Sequence, residues 1–397
     1  DESGSVIGYK INGTKQFIST GGYAEFITLL ANTPEGATFF IVEKDTEGYE
    51  RGKGEEKHGI RASNTSPLTF IDAFVPVENV IGGVTGQGLK QASKVFGYTR
   101  LMVASMALGG GEAALDIVVP YAQERIQFKT PLSEKQGYTH KLVVPHAVRL
   151  AAAATYIDEV ATRLDAGDQG LEVEGSIAKL FATEVANKAA DDAMQALGGY
   201  GYITEYGVEK IKRDVKITCI YEGTSEIQQN IISTFRWKTT RKSKGAFYDG
   251  IADEMDKLES QCSKAGCRTI ALAARALNKA IFLVNDNRLT REQTIMFALA
   301  DMMQYVEVAA SFARQAVVLT AENHAQAEKT TVFSRVFANE IAQVTSSNIL
   351  RILYGSGVFD ADQCAAFLSE ISHAKLAESY QNIIADMNRA ADMIFKR

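Results

Sequence analysis

The sequence predicts an α+β protein: a small antiparallel β domain, then an antiparallel four-helix bundle and an additional α-helical domain. Three observations carry this. Up to Phe74 the chain alternates short β-branched and aromatic runs with turn residues. A glycine loop (Gly82-Gly83, Gly86, Gly88) follows, and from about Leu89 the chain is Ala-rich with apolar residues recurring every three or four positions. The expected domains are 1–88, 89–237 and 238–397.

Strands are expected at Tyr9–Ile11, Gln16–Ser19, Phe26–Ala31, Thr38–Val42 and Leu68–Phe74, with turns at Asn12-Gly13 and Gly21-Gly22 and a loop over the glycine-dense stretch Gly48–Gly59. In the bundle, helical periodicity covers about 90–127, 138–166, 170–197 and 205–236, with Pro131 and Asp165–Gly170 falling in loops. Polar Lys238–Lys244 leads into five further segments: Tyr248–Gly266, Cys267–Val284, Thr290–Glu322, Lys329–Leu353 and Cys364–Phe395.

Composition narrows the function. Among 397 residues, 42 basic and 48 acidic side chains give a formal charge of −6, with no dense Lys/Arg block to favour nucleic acid or anionic lipid. No apolar run long enough to span a bilayer is expected, and no charged-then-apolar leader. Cys219, Cys262, Cys267 and Cys364 match neither a zinc site nor a disulfide framework, which suits a reducing compartment. No P-loop and no His-Glu-x-x-His occurs, and the scattered histidines give no metal site. Gly198-Gly199-Tyr200-Gly201 lies between helical segments instead of after a strand, which argues against a Rossmann site. The chain opens on Asp1, almost directly into a strand pattern, so a C-terminal portion of a longer protein is expected.

The run from Gln195 to Ile231 is not ordinary helix filler. Within it Glu222 stands between Tyr221 and Gly223, beside apolar Ile220, a setting that would desolvate a carboxylate and suit it as a base. Thr224 and Ser225 can cap the helix that follows. The competing reading is a first-turn carboxylate that serves the helix dipole.

Ile220-Tyr221-Glu222-Gly223-Thr224 and Leu197-Gly198-Gly199-Tyr200-Gly201 resemble the C-terminal signature of the acyl-CoA dehydrogenases. Three further runs match in the family's order: Lys15-Gln16-Phe17-Ile18-Ser19-Thr20-Gly21-Gly22 resembles its flavin-contacting strand, Phe96-Gly97-Tyr98-Thr99-Arg100 the start of its active-site helix, and Arg125-Ile126-Gln127-Phe128 its pyrophosphate arginine motif. The resemblance covers about residues 6–236. It implies FAD-dependent α,β-dehydrogenation of an acyl-CoA thioester to the trans-2-enoyl-CoA, with electrons passed to electron-transferring flavoprotein. The alternatives are an acyl-CoA oxidase-like enzyme and a low-activity scaffold or assembly protein that keeps the fold.

By position, the resemblance makes Glu222 the base. Thr99, where some members carry the base instead, cannot accept a proton. The cofactor contacts it implies are Phe17 on the flavin ring, Ser19 near N5 or O4, Arg125, Gln127, Phe128, Gln195, Gly198 and Gly199 at the adenosine half across a subunit boundary, and Thr224 and Glu226 near the adenine and ribityl groups. Phe96, Thr99, Arg100, Tyr221 and Gly223 are implied at the thioester. Gly97, Lys129 and Glu226 depart from the usual residues. The family's N-terminal helical domain and its Thr-Glu-Pro-x-Ala-Gly-Ser-Asp-like loop are not in this sequence, so a longer chain or a second polypeptide is expected to supply them. The 238–397 block resembles the extra helical domain of the very-long-chain members, which implies a homodimer over a homotetramer, with peripheral membrane contact as a further option. A bacterial cytoplasm is expected, with the mitochondrial matrix as the alternative.

Overall fold

The structure, a computed structural model, describes residues 2–396, which fall into two compact units divided between Phe96 and Gly97. In the first, β1 (Gly8–Ser19), β5 (Thr65–Pro76) and β4 (Tyr49–Arg51) form an antiparallel sheet in the order β1-β5-β4. Strands β2 (Phe26–Thr33) and β3 (Gly36–Glu43) form a hairpin. Alternation along the strands buries Ile11, Leu29, Phe40, Val42, Leu68, Phe70 and Val75 in a core of their own.

Two sequence expectations are corrected here. Asn12-Gly13 is not a hairpin turn, because β1 runs straight through it with a register shift between Ile11 and Gly13. The irregularity is absorbed by a side-chain clasp: Asn12 Nδ2 donates to Asp72 Oδ1 at 2.9 Å, and the Asp72 N–H donates to Asn12 Oδ1 at 2.8 Å. The glycine-dense stretch also contains β4, whose Tyr49 ring stacks on Phe70 at 5.1 Å.

The boundary between the units falls within a long helix, α1 (Gly88–Glu124). A short hairpin, β6 (Ile126–Gln127) with β7 (Thr130–Pro131), is followed by α2 (Gln136–Leu142), α3 (Val144–Asp165), α4 (Glu172–Leu197), α5 (Gly199–Tyr202), α6 (Val208–Val215) and α7 (Ser225–Lys242). Next come α8 (Ala246–Glu259), α9 (Cys267–Asp286), α10 (Gln293–Ala321), α11 (Ala327–Gly355), α12 (Ala361–Glu370), α13 (His373–Ala377) and α14 (Ile383–Phe395). Both helical blocks lie in the second unit and share one apolar core.

Two expected helices are broken. The segment 205–236 splits into α6 and α7, because Glu222 (φ 53) and Gly223 (φ 91) turn left-handed and Thr224 starts a new helix. Cys364–Phe395 splits at the left-handed residues Ser372 (φ 54) and Asn382 (φ 65). Helices α1 and α10 are long and apolar enough to cross a bilayer by length and composition only, and the apolar window of α10 is 83% buried in the protein, as befits a core helix.

Candidate active site

Each unit places part of the expected set. In the first, Phe17 and Ser19 lie on β1 beside a second register shift, between Lys15 and Ile18. Phe17 takes a left-handed φ of 58 and leaves its ring 70% exposed. An aromatic ring held out of the core by a strained residue fits a binding face better than packing. Phe96, the last residue of this unit, is exposed on α1.

In the second unit, α1 and the loop before α7 bring distant positions together. The Thr99 hydroxyl donates to Glu222 Oε2 at 2.9 Å. Arg100 feels the charges of Glu222 and Glu172, although burial still pulls its guanidinium below the usual range, and Arg100 Nη1 donates to Ser176 Oγ at 3.1 Å. Burial and the neighbouring Glu222 charge both push the Tyr221 phenol up. Glu222 itself is exposed in this chain, which corrects the expectation of a desolvated carboxylate. Neighbouring Ile220 is also largely exposed and does not cover it.

The turn that carries Glu222 is built from main-chain geometry. Gly223 is required there on two counts: its φ is 91, and a Cβ would come within 2.5 Å of Gln228 Nε2. Thr224 caps α7, its hydroxyl accepting from the Ile227 N–H at 3.4 Å. Glu226, in the first turn of α7, is held below the usual carboxylate range by its own backbone N–H and the Thr224 hydroxyl. It lines a cavity of about 610 Å³ with Glu184, Gln229 and Asp301.

A separate pocket of about 540 Å³ gathers Arg125, Gln127, Gln195, Gly198 and Gly199. Arg125 and Gln127 come from the end of α1 and the β6–β7 hairpin, whose turn residues Phe128 (φ 49) and Lys129 (φ 72) are both left-handed. Phe128 is 90% exposed and is not among the residues lining that pocket. Gly198 ends α4 with φ 60 and ψ −135, a conformation natural only to glycine.

Sequence reasoning missed two side chains of the Glu222 turn, Lys179 and Gln228. Lys179 Nζ donates to the Gly223 carbonyl at 2.8 Å, and Gln228 Nε2 donates to the Glu222 and Gly223 carbonyls at 3.0 Å each. The available signal was a lone lysine inside the apolar run Ile177-Ala178-Lys179-Leu180-Phe181.

The model of the acyl-CoA dehydrogenase middle domain matches residues 2–73, and that of the acyl-CoA dehydrogenase C-terminal domain matches residues 86–235. An acyl-CoA dehydrogenase of Bacillus subtilis (strain 168) is 44% identical over 234 residues, 57% of this chain and 60% of that protein. The mitochondrial short/branched chain specific acyl-CoA dehydrogenase of Rattus norvegicus is 39% identical over 238 residues, 59% of this chain and 54% of that protein. The chain thus spans little more than half the length of these curated relatives. Butyryl-CoA dehydrogenase from Megasphaera elsdenii superposes with a TM-score of 0.55 at 39% identity, over 57% of this chain and 60% of that one. An acyl-CoA dehydrogenase from Bacillus anthracis complexed with FAD superposes with a TM-score of 0.81 over 98% of this chain and 71% of that one. At 22% identity this likeness speaks to fold alone, and it extends through the C-terminal helices. With its β unit matching the middle domain and its helical segment 86–235 the C-terminal domain, this chain belongs to the acyl-CoA dehydrogenase family.

Proposed function

We propose that this chain carries the base and much of the cofactor site of an FAD-dependent acyl-CoA dehydrogenase, which converts an acyl-CoA to the trans-2-enoyl-CoA and passes electrons to electron-transferring flavoprotein. The observation that carries the reading is Glu222: a carboxylate on a left-handed turn, open to a ligand, hydrogen-bonded by Thr99 and close to the Arg100 charge. FAD, when bound, supplies the acceptor for a hydride from the substrate β carbon.

The residues fit such a group. Arg125 offers a guanidinium for a pyrophosphate, Gln127 and Gln195 offer carboxamides, and side chains added at Gly198 or Gly199 would meet nothing within 4 Å, so a ligand can reach that backbone. This pocket is distinct from the Glu222 turn, which supports a cofactor shared across a subunit boundary, and so a homodimer. In the β unit, Phe17 presents a flat apolar face and Ser19 a hydroxyl, the groups that would cover and orient a flavin ring.

The role of Glu222 is to take the α proton. That proton is weakly acidic, so the base must sit within hydrogen-bond reach of it while the thioester oxygen receives donors. Thr99 leaves one carboxylate oxygen, Oε1, for the proton and fixes the other. The relatives include bacterial and mitochondrial proteins, and we place this one in a bacterial cytoplasm.

The test is anaerobic titration of the full-length protein with acyl-CoAs of graded chain length, following the visible flavin absorbance. Bleaching with a preferred length is expected. Glu222→Gln should keep its flavin and bleach about 10²–10⁴-fold more slowly. A Glu222→Gln protein that bleaches at the wild-type rate overturns the assignment, and rapid oxygen consumption during turnover would make the enzyme an oxidase.

A further inference from the structure

We propose that Lys179 and Gln228 form a buried clamp that holds the Glu222–Gly223 turn, and are thereby positioning residues for the base; this rests on Glu222 being the base.

Both side chains are fully buried, one in the middle of α4 and the other in the first turns of α7. Their donors converge on the main-chain carbonyls of the turn. Gln228 has two amide hydrogens, and they meet the carbonyls of Glu222 and Gly223, while its own carboxamide oxygen finds no partner among the described residues. The Gly223 carbonyl accepts a second bond, from the Lys179 ammonium. A buried lysine is costly, and apolar packing of similar volume would serve stability at least as well. Here burial pulls the ammonium down to about 8, yet the group is directed at the catalytic turn.

The geometry accounts for that cost. Glu222 occupies a left-handed φ that a non-glycine residue holds only when its surroundings impose it. With the Glu222 carbonyl anchored inward on a buried amide, the carboxylate is left on the exposed side of the turn, where the Thr99 hydroxyl donates to it and the Arg100 charge acts on it through space. The titratable and charged groups that face Lys179 are Glu184 on its own helix, the Cys219 thiol and Glu222 on the segment between α6 and α7, Arg100 on α1 and, from the first turn of α7, Glu226.

Lys179→Met and Gln228→Met, which keep volume and remove the donors, are made in the full-length protein. Each is expected to retain flavin and helical content, to lower the limiting rate of flavin reduction about 10- to 100-fold with little change in half-saturation, and to speed amide hydrogen exchange across residues 222–224. A merely structural role would not lower the limiting rate while leaving half-saturation and flavin content unchanged. Folded variants with wild-type rates and exchange overturn the clamp. If Lys179→Met fails to fold, the rate and exchange of Gln228→Met decide. Failure of the base assignment is seen separately, as undiminished bleaching by Glu222→Gln, and leaves the exchange test of the clamp standing.

Discussion

Glu222 and Thr99 are 123 positions apart in the chain and 2.9 Å apart in space. A hydroxyl that donates to one carboxylate oxygen fixes the side chain's rotamer and leaves the other oxygen for chemistry. Thr99→Val keeps the shape and removes the donor, so flavin reduction by the full-length protein should slow about 3- to 10-fold with flavin content unchanged, read by stopped-flow absorbance. This carboxylate was legible as a candidate because Tyr-Glu-Gly-Thr is a short local pattern. Its partners were less so. Gln228 looks like helix filler in the sequence and Lys179 is marked only by its apolar neighbours, and burial beside the 222–223 carbonyls gives both a task.

At the scale of elements, the β6–β7 hairpin shows where a local pattern strains its own structure. Lys129 takes φ 72 at a turn position that glycine occupies without cost. Lys129→Gly should stabilise the fold by about 0.5–1 kcal/mol, measured by chemical denaturation. Helices α3 and α4 are tied by His146, whose Nε2 lies 2.7 Å from Asp192 Oδ2. Burial outweighs that carboxylate and holds the imidazole below its ordinary 6.5. The folded state therefore favours neutral His146: its contribution is fully present above about 6.5 and is lost as the pH falls from there toward the folded-state value. His146→Gln should flatten the decline of the unfolding free energy between about pH 7 and 5, and an unchanged slope would contradict this. Element boundaries were legible where caps are conventional, as at Thr224. They were missed at Ser372 and Asn382, because serine and asparagine are commonplace in helical sequence and only the backbone shows them left-handed.

For the molecule as a whole, one buried ion network joins the bundle to the C-terminal helices. Arg236 on α7 binds Glu307 on α10 through Nε at 2.8 Å and Nη2 at 2.7 Å, and Glu174 on α4 at 3.0 Å. The Tyr248 hydroxyl on α8 donates to Glu307 at 3.0 Å, and the Phe247 ring lies 4.9 Å from the guanidinium. Glu307→Gln weakens the compensation of a buried cation and should cost about 3–5 kcal/mol, whereas replacing Arg236 and Glu307 together by apolar residues should cost less. Equilibrium denaturation of the three variants tests the difference. The network crosses the 237/238 boundary expected from composition, and both helical blocks lie in one compact unit. The sequence by itself determined the order of β and helical segments and the family, and it singled out Glu222 as the candidate base. Periodicity, turn chemistry and short motifs are properties of neighbouring residues, and they survive in a one-dimensional reading. Tertiary structure alone decided which helices share a core, where Glu222 finds Thr99, and why a lysine is buried in α4. Those are contacts between residues far apart in the chain, set by packing that no local pattern encodes.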